Sequence, residues 1–355
     1  MGKIRVGIFG ATGMVGQHFV RLLHDHPAFE LVMVTASERS RGIRYLDATD
    51  WMIGSTMPES VHDLILQETT ATALQIEEVD VVFSALPSQI AGPVEDDAAS
   101  IGVPVFSNAG AHRMRPDVPI LIPEINSQHL QLVSEQRYAP GFIVTNSNCS
   151  TSGLVFGLKP LMAFGLEEVN VTTMQAVSGA GRRGVASLDI LGNIIPHIKN
   201  EEQKMETEPQ KILGSLVDGR VRSADFRITA TCTRVPVANG HLESVSVKLK
   251  EDISAEDAIS AFSEFAGDIP SLGLSTAPIR PITVFLEHDH PQPSRDLFTT
   301  DDPLGMSIKI GRVRKKGDSI QFILLVHNTM RGAAGASVLN AEYAFHTGYL
   351  DEVIA

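Results

Sequence analysis

Two cysteines occur in 355 residues, and one of them, Cys149, stands in TNSNCSTSGL, behind two asparagines and ahead of small hydroxyl residues. A strand-like GFIVT precedes it and an apolar segment of helical length, LVFGLKPLMAFGL, follows. The pattern predicts a strand, a turn and a helix N-terminus. A thiol at such a terminus meets unpaired backbone N–H groups and the positive end of the helix dipole, which together favour the nucleophilic thiolate. A nucleophile of this kind needs a base. RVPVANGH supplies Arg234 and His241 on either side of a loop between two strand-like runs. Neutral imidazole accepts a thiol proton near neutral pH, and a guanidinium grips a carboxylate through two parallel hydrogen bonds. Taken alone, His241, one of 12 histidines, reads more often as a solvated loop residue, and Cys232, in ITATCTRVPV, reads as strand packing.

Two further clusters carry concentrated charge. SNAGAHRMRPDVP places Arg113 and Arg115 after a strand, and NEEQKMETEPQKIL sets Glu201 and Lys204 one helical turn apart. Arg113 and Lys204 suit a phosphate dianion, and Glu201 suits an amino group. Without a companion site, the second cluster is an ordinary charged helix face.

At the other end, VGIFGATGMVGQHFVRLL spaces Gly10, Gly13 and Gly16 as GxxGxxG between a first strand and a first helix. Glycines allow a tight turn and close backbone approach to a pyrophosphate, whose charge the helix N-terminus attracts. That context points to dinucleotide binding rather than a structural turn. About 20 residues further on, where an acidic residue would read the ribose 2′-hydroxyl of NAD, the sequence is SERSRG, with Ser37, Arg39, Ser40 and Arg41. Hydroxyls and guanidiniums there suit a 2′-phosphate, so NADP is expected over NAD, despite Glu38.

These groups need a scaffold. The chain is long enough for two domains, with 43% hydrophobic and 20% charged residues, the composition of a folded soluble protein. A formal net charge of −13 excludes a generic nucleic-acid or anionic-membrane surface. The cysteines form neither a disulfide framework nor a metal-ligand pattern, so no metal is expected and a reducing cytoplasm is the natural compartment. Neither a signal peptide nor a bilayer-spanning run is visible. Up to residue 148, short apolar runs (IRVGIFG, FELVMVTAS, VDVVFSAL, VPVFSNA, PILIPEI, FIVTN) alternate with helical segments, the rhythm of a doubly wound parallel sheet. From 149 to 330, longer period-2 strands predict an α+β domain with a mostly antiparallel sheet, two of them joined across KKGD as a hairpin. An Ala-rich helix over 331–355 is expected to join the first domain.

With GATGMVGQ, SNCST, SGAG followed by SLDILGNIIPHI, EEQK, RVPVANGH and NTMRGAAGASVLNAE in this order, essentially the whole chain resembles the aspartate-β-semialdehyde dehydrogenase family, in its archaeal and fungal branch. The resemblance implies Cys149 as nucleophile, His241 as general base and Gln175 as the residue orienting substrate. It assigns Arg234 to the substrate carboxylate, Glu201 to its amino group, and Arg113 with Lys204 to phosphate, with Asn148 also at the substrate. Gly10, Thr12, Gly13, Met14, Val15, Gly16, Ser37, Arg39, Ser40, Ser84, Gly179 and Asn328 are the implied NADP contacts. Two departures stand out: Ser147 replaces the branch's usual proline, and RRGVAS replaces YPGVPS, adding Arg182 and Arg183.

The chemistry implied is NADPH-dependent reduction of 4-aspartyl phosphate to aspartate-4-semialdehyde through a cysteine thioester, in a homodimer or homotetramer. Malonyl-CoA reductase and N-acetyl-glutamyl-phosphate reductase share the fold and rank below it. The first lacks the NC dipeptide and a reason for the phosphate pair, and the second usually has Gly-Cys. A noncatalytic NADP sensor is the rival of another class, weakened by the presence of both Cys149 and His241.

Overall fold

The computed structural model describes residues 2–267, 269 and 272–354. They fall into two compact units: Met1–Leu121 with Gln128–Asn146 and Ala333–Ala355, and Ile122–Ser127 with Ser147–Gly332.

In the first unit six strands, β1 (Ile4–Phe9), β2 (Phe29–Thr35), β3 (Leu66–Gln67), β4 (Val81–Ser84), β5 (Val105–Ser107) and β6 (Ile143–Thr145), form a sheet in the order β3-β2-β1-β4-β5-β6. Every pairing is parallel. This is the doubly wound order, whose strand sequence reverses between β1 and β4. The strands are buried almost throughout, as a sheet covered on both faces requires. Phe19, Phe83, Phe106 and Val338 pack under the helices Met14–Leu23 and Gly335–His346. Leu74, Ala91, Ala98 and Val105 pack under Ala71–Ile76 and Ser88–Ser100. PILIPEI departs from expectation. Ile120 makes a single parallel bridge to Thr145, and Pro123 opens the short helix Pro123–Asn126, so the prolines leave too little chain for a strand.

The second unit adds β7 (Leu166–Gln175), β8 (Ser215–Val217), β9 (Arg220–Arg222), β10 (Arg227–Arg234), β11 (His241–Leu249), β12 (Ile282–Phe285), β13 (Ile308–Lys316) and β14 (Ser319–Val326). β8 and β9 form a separate ribbon, and the rest order as β10-β7-β11-β14-β13-β12. The three central pairings are antiparallel, while β10 on β7 and β12 on β13 are parallel. The sheet is therefore mixed. Period-2 alternation reveals which face a strand buries, not which way its neighbour runs. β13 and β14 make the expected hairpin, with Gly317 at φ +63° in the turn. β11 alternates buried and less buried residues, so His241 and Glu243 share the covered face.

Candidate active site

Cys149 is the first residue of the helix Cys149–Leu158. Asn148 caps it, with Oδ1 accepting from the N–H groups of Ser150 at 3.0 Å and Thr151 at 3.2 Å. Two carboxylates of the helix Glu201–Ile212 then fix the cap. Glu201 Oε2 accepts from Asn148 Nδ2 at 2.7 Å, and Glu208 Oε2 accepts from the Asn148 backbone N–H at 2.6 Å. On the other side the chain passes so close that a Cβ on Gly332 would lie 2.7 Å from Cys149 Cβ. The thiol is only partly buried, as a nucleophile must be.

His241, the first residue of β11, brings Nε2 to 3.3 Å from Cys149 Sγ. Its Nδ1 accepts the Ala176 backbone N–H at 3.1 Å. A ring nitrogen that accepts carries no proton, so this network assigns the proton of the neutral ring to Nε2. Protonation of the second nitrogen is resisted: burial, and after it the charge of Arg234, push the imidazole pKa down to about 3. His241 thus meets the sulfur as a donor, where the sequence suggested an acceptor. The cause is a backbone N–H, which has no side-chain signature.

Arg234 closes β10 opposite Gln175. Its Nη1 donates to Ala176 O at 2.7 Å, so one peptide segment orients both the imidazole and the guanidinium. Gly179 packs against the same pair. A Cβ there would stand 2.7 Å from Arg234 Nη1 and 3.0 Å from the His241 ring. Gln175 Nε2 reaches Thr173 Oγ1 at 3.3 Å and Glu201 Oε2 at 3.4 Å. Lys204 Nζ donates to Glu201 Oε1 at 2.7 Å. Burial alone would push the Glu201 carboxyl up, but the charge and hydrogen bond of Lys204, with those from Asn148 and Gln175, hold it below the usual range. Asn328 bonds to the residue before His241 instead: Oδ1 accepts from Gly240 N at 2.9 Å and Nδ2 donates to Ser178 Oγ at 2.9 Å. The second unit therefore gathers Asn148, Cys149, Gln175, Gly179, Glu201, Lys204, Arg234, His241 and Asn328. Glu208 and Ala176 were not foreseen. Spacing of seven residues on one helix face, Glu201 to Glu208, was the available hint for the former.

The remaining candidates lie in the first unit. Gly10, with φ +79°, turns the chain out of β1. A Cβ on Gly16 would lie 2.3 Å from Gly10 O, so only glycine permits this tight loop. Thr12, Gly13, Met14 and Val15 line its exit into the helix Met14–Leu23, whose N-cap Gly13 offers no side chain to the free N–H groups there. That donor set fits a pyrophosphate. Ser37 and Arg39 are exposed beyond β2, with Ser40 half-buried, and Arg41 pairs with Glu68 at 3.0 Å. Ser84, at the end of β4, donates to the buried Glu95 at 2.6 Å; burial pushes that carboxyl up to about 7. Arg113 braces the chain, with Nε donating to Asn146 O at 2.7 Å and Nη2 to Asn108 O at 2.8 Å. It belongs to the first unit and Lys204 to the second.

A doubly wound unit with a glycine loop and a unit built around a cysteine with an imidazole donor are the parts of a dinucleotide-dependent oxidoreductase that works through a thiol. Residues 5–133 match the family model for the semialdehyde dehydrogenase NAD binding domain, and residues 158–331 that for the semialdehyde dehydrogenase dimerisation domain. The chain belongs to the semialdehyde dehydrogenase family. It is 46% identical to the aspartate-semialdehyde dehydrogenase of Methanothermobacter thermautotrophicus, over 96% of this chain and 98% of that one. It is 48% identical to that of Archaeoglobus fulgidus, over 96% and 97%. The crystal structure of aspartate semialdehyde dehydrogenase with NADP from Candida albicans superposes with a TM-score of 0.88 at 38% identity, over 97% of this chain and 99% of that one. These similarities do not favour a malonyl-CoA or N-acetyl-glutamyl-phosphate reductase. Among the described residues no helix is long and apolar enough to cross a membrane.

Proposed function

We propose that the protein is an NADP-dependent, phosphorylating aspartate-semialdehyde dehydrogenase, interconverting 4-aspartyl phosphate and L-aspartate-4-semialdehyde in the biosynthesis of lysine, threonine and methionine. The observation that carries this reading is the run from the Ala176 N–H through the His241 ring to Cys149 Sγ. The Nε2–H donates to the sulfur and favours thiolate. In the oxidative direction that thiolate adds to the aldehyde carbon. Phosphate later opens the thioester formed at the same sulfur, expelling thiolate and releasing the phosphate proton. One donor thus stabilises sulfur both as nucleophile and as leaving group, which suits a reversible reaction. NADP, when bound, supplies the two-electron acceptor, and the loop from Gly10 to Gly16 with Ser37, Arg39 and Ser40 would hold it.

Arg234 receives the substrate carboxylate, Glu201 its ammonium group and Lys204 the phosphate. Gln175 and Asn148 orient the reacting carbonyl from the Glu201 side. The ion pair of Lys204 with Glu201 leaves each half neutralised until substrate ammonium and phosphate replace it. The first unit serves the nucleotide and the second the chemistry, in a cytoplasmic homodimer or homotetramer.

The test is NADP reduction by the purified protein with aspartate semialdehyde. Turnover that requires phosphate or arsenate supports the reading. Turnover with coenzyme A in place of phosphate would favour malonyl-CoA reductase, and no turnover with any acceptor would leave the sensor.

A further inference from the structure

Two backbone segments orient His241. One is the turn that ends in Gly240, which has φ +92° and no room for a side chain, since its Cβ would lie 2.9 Å from Leu297 Cδ2. The other runs from Ala176, whose N–H holds Nδ1, to Gly179, which packs on the ring. Asn328 bridges them. The Gly240 N–H requires an acceptor, which fixes the carboxamide with Oδ1 towards Gly240 and Nδ2 towards Ser178 Oγ, each at 2.9 Å. Asn328 is only 3% exposed, so water does not replace these bonds readily. Further backbone bonds, Val177 N to Val237 O at 2.8 Å and Ser178 N to Ala238 O at 3.2 Å, join the same two segments nearby. The side chain of Asn328 completes that seam next to the imidazole.

We propose that Asn328 is a positioning residue that holds the His241 ring on Cys149 by bracing both segments, and does so before any cofactor binds. The inference rests on the reading of Cys149 and His241 as the reactive pair, and goes beyond a contact of Asn328 with the nicotinamide.

Iodoacetamide alkylation of Cys149 in the cofactor-free full-length protein, followed against pH, separates the two roles. In Asn328→Ala the apparent thiol pKa rises and alkylation near neutral pH slows by roughly five- to thirtyfold, the effect of one or two lost hydrogen bonds. Ser178→Ala, which removes one arm, slows it by roughly threefold in the same direction. The thermal midpoint is recorded alongside, since a general loss of stability does not shift the pH profile. An unchanged alkylation profile with weakened NADP binding would overturn the proposal and leave Asn328 a cofactor contact. If Asn328→Ala does not fold, Ser178→Ala decides alone, an unchanged profile again refuting the brace. Alkylation needs neither aldehyde nor phosphate, so failure of the turnover assay would count against the proposed activity and not against this role.

Discussion

The backbone N–H of Ala176 lies 3.1 Å from Nδ1 of His241, and it decides what the histidine offers to Cys149. With that nitrogen occupied and burial pushing the imidazole pKa down to about 3, the ring stays neutral and its one proton faces the sulfur. The unfolded chain protonates this histidine at its ordinary 6.5. Stability from this residue is therefore complete above about pH 6.5 and is lost progressively as pH falls towards 3, because the unfolded state takes up the proton first. Between about pH 7 and pH 5 the loss amounts to about 2 kcal/mol. His241→Gln should remove that part of the slope. Urea denaturation of both proteins at the two pH values checks it: parallel losses would mean that His241 titrates normally in the fold.

The two cysteines should differ sharply in reactivity. Burial pushes the Cys232 thiol up to about 12, whereas Cys149 is accessible, heads a helix and receives an Nε2–H. Near neutral pH one equivalent of iodoacetamide should go to Cys149, read by peptide mass. Cys149→Ala should abolish turnover and leave NADP affinity within about twofold, since the thiol supplies chemistry alone. Retained turnover in that variant would eliminate the thioester route.

Much of this site was legible because its chemistry rests on side chains with local signatures. The strand, turn and helix start around Cys149 follow from the apolar pattern, whereas the cap that Asn148 makes became visible only in the fold. Long-range order was less accessible. Nothing in the alternation of FRITATCTRVPV tells that β10 runs parallel to β7, because a parallel and an antiparallel neighbour bury the same face. Ala176 acts through its peptide group, so its residue type carries no information about its role. Glu208 resembles any acidic residue of an exposed helix until the fold turns it towards Asn148 N. The tautomer of His241, and with it the direction of its bond to sulfur, depends on a partner 65 residues away.

Cofactor preference should rest on Arg39. Arg41 is engaged by Glu68, while Arg39 is exposed just past β2 among serines. Arg39→Ala should weaken NADP by roughly tenfold or more, the value of a hydrogen bond to a charged group, and leave NAD nearly unchanged. Fluorescence titration with both nucleotides measures this. Equal weakening of the two would show that Arg39 does not read the 2′-phosphate, and Arg41→Ala would then be the variant to titrate.

The two anions of the reaction should respond to different cations. Arg234 has a planar fork whose Nη1 already holds Ala176 O, next to the N–H that orients His241. Lysine in its place keeps the charge and loses both the second donor for a carboxylate and the brace on Ala176. Arg234→Lys should therefore raise KM for the semialdehyde by roughly 10- to 100-fold and lower kcat, while the KM for phosphate changes little. Lys204→Ala should do the reverse. Its loss also strips Glu201 of the partner that most lowers its carboxyl pKa, so activity in this variant should need a higher pH as well as more phosphate. Below that shifted pKa Glu201 is protonated and cannot hold an ammonium group. Initial rates across both substrates at several pH values resolve the two effects. If Arg234→Lys moved only phosphate saturation, the carboxylate would have to be assigned elsewhere, and if Lys204→Ala left phosphate saturation untouched, Lys204 would be a structural partner of Glu201 and nothing more.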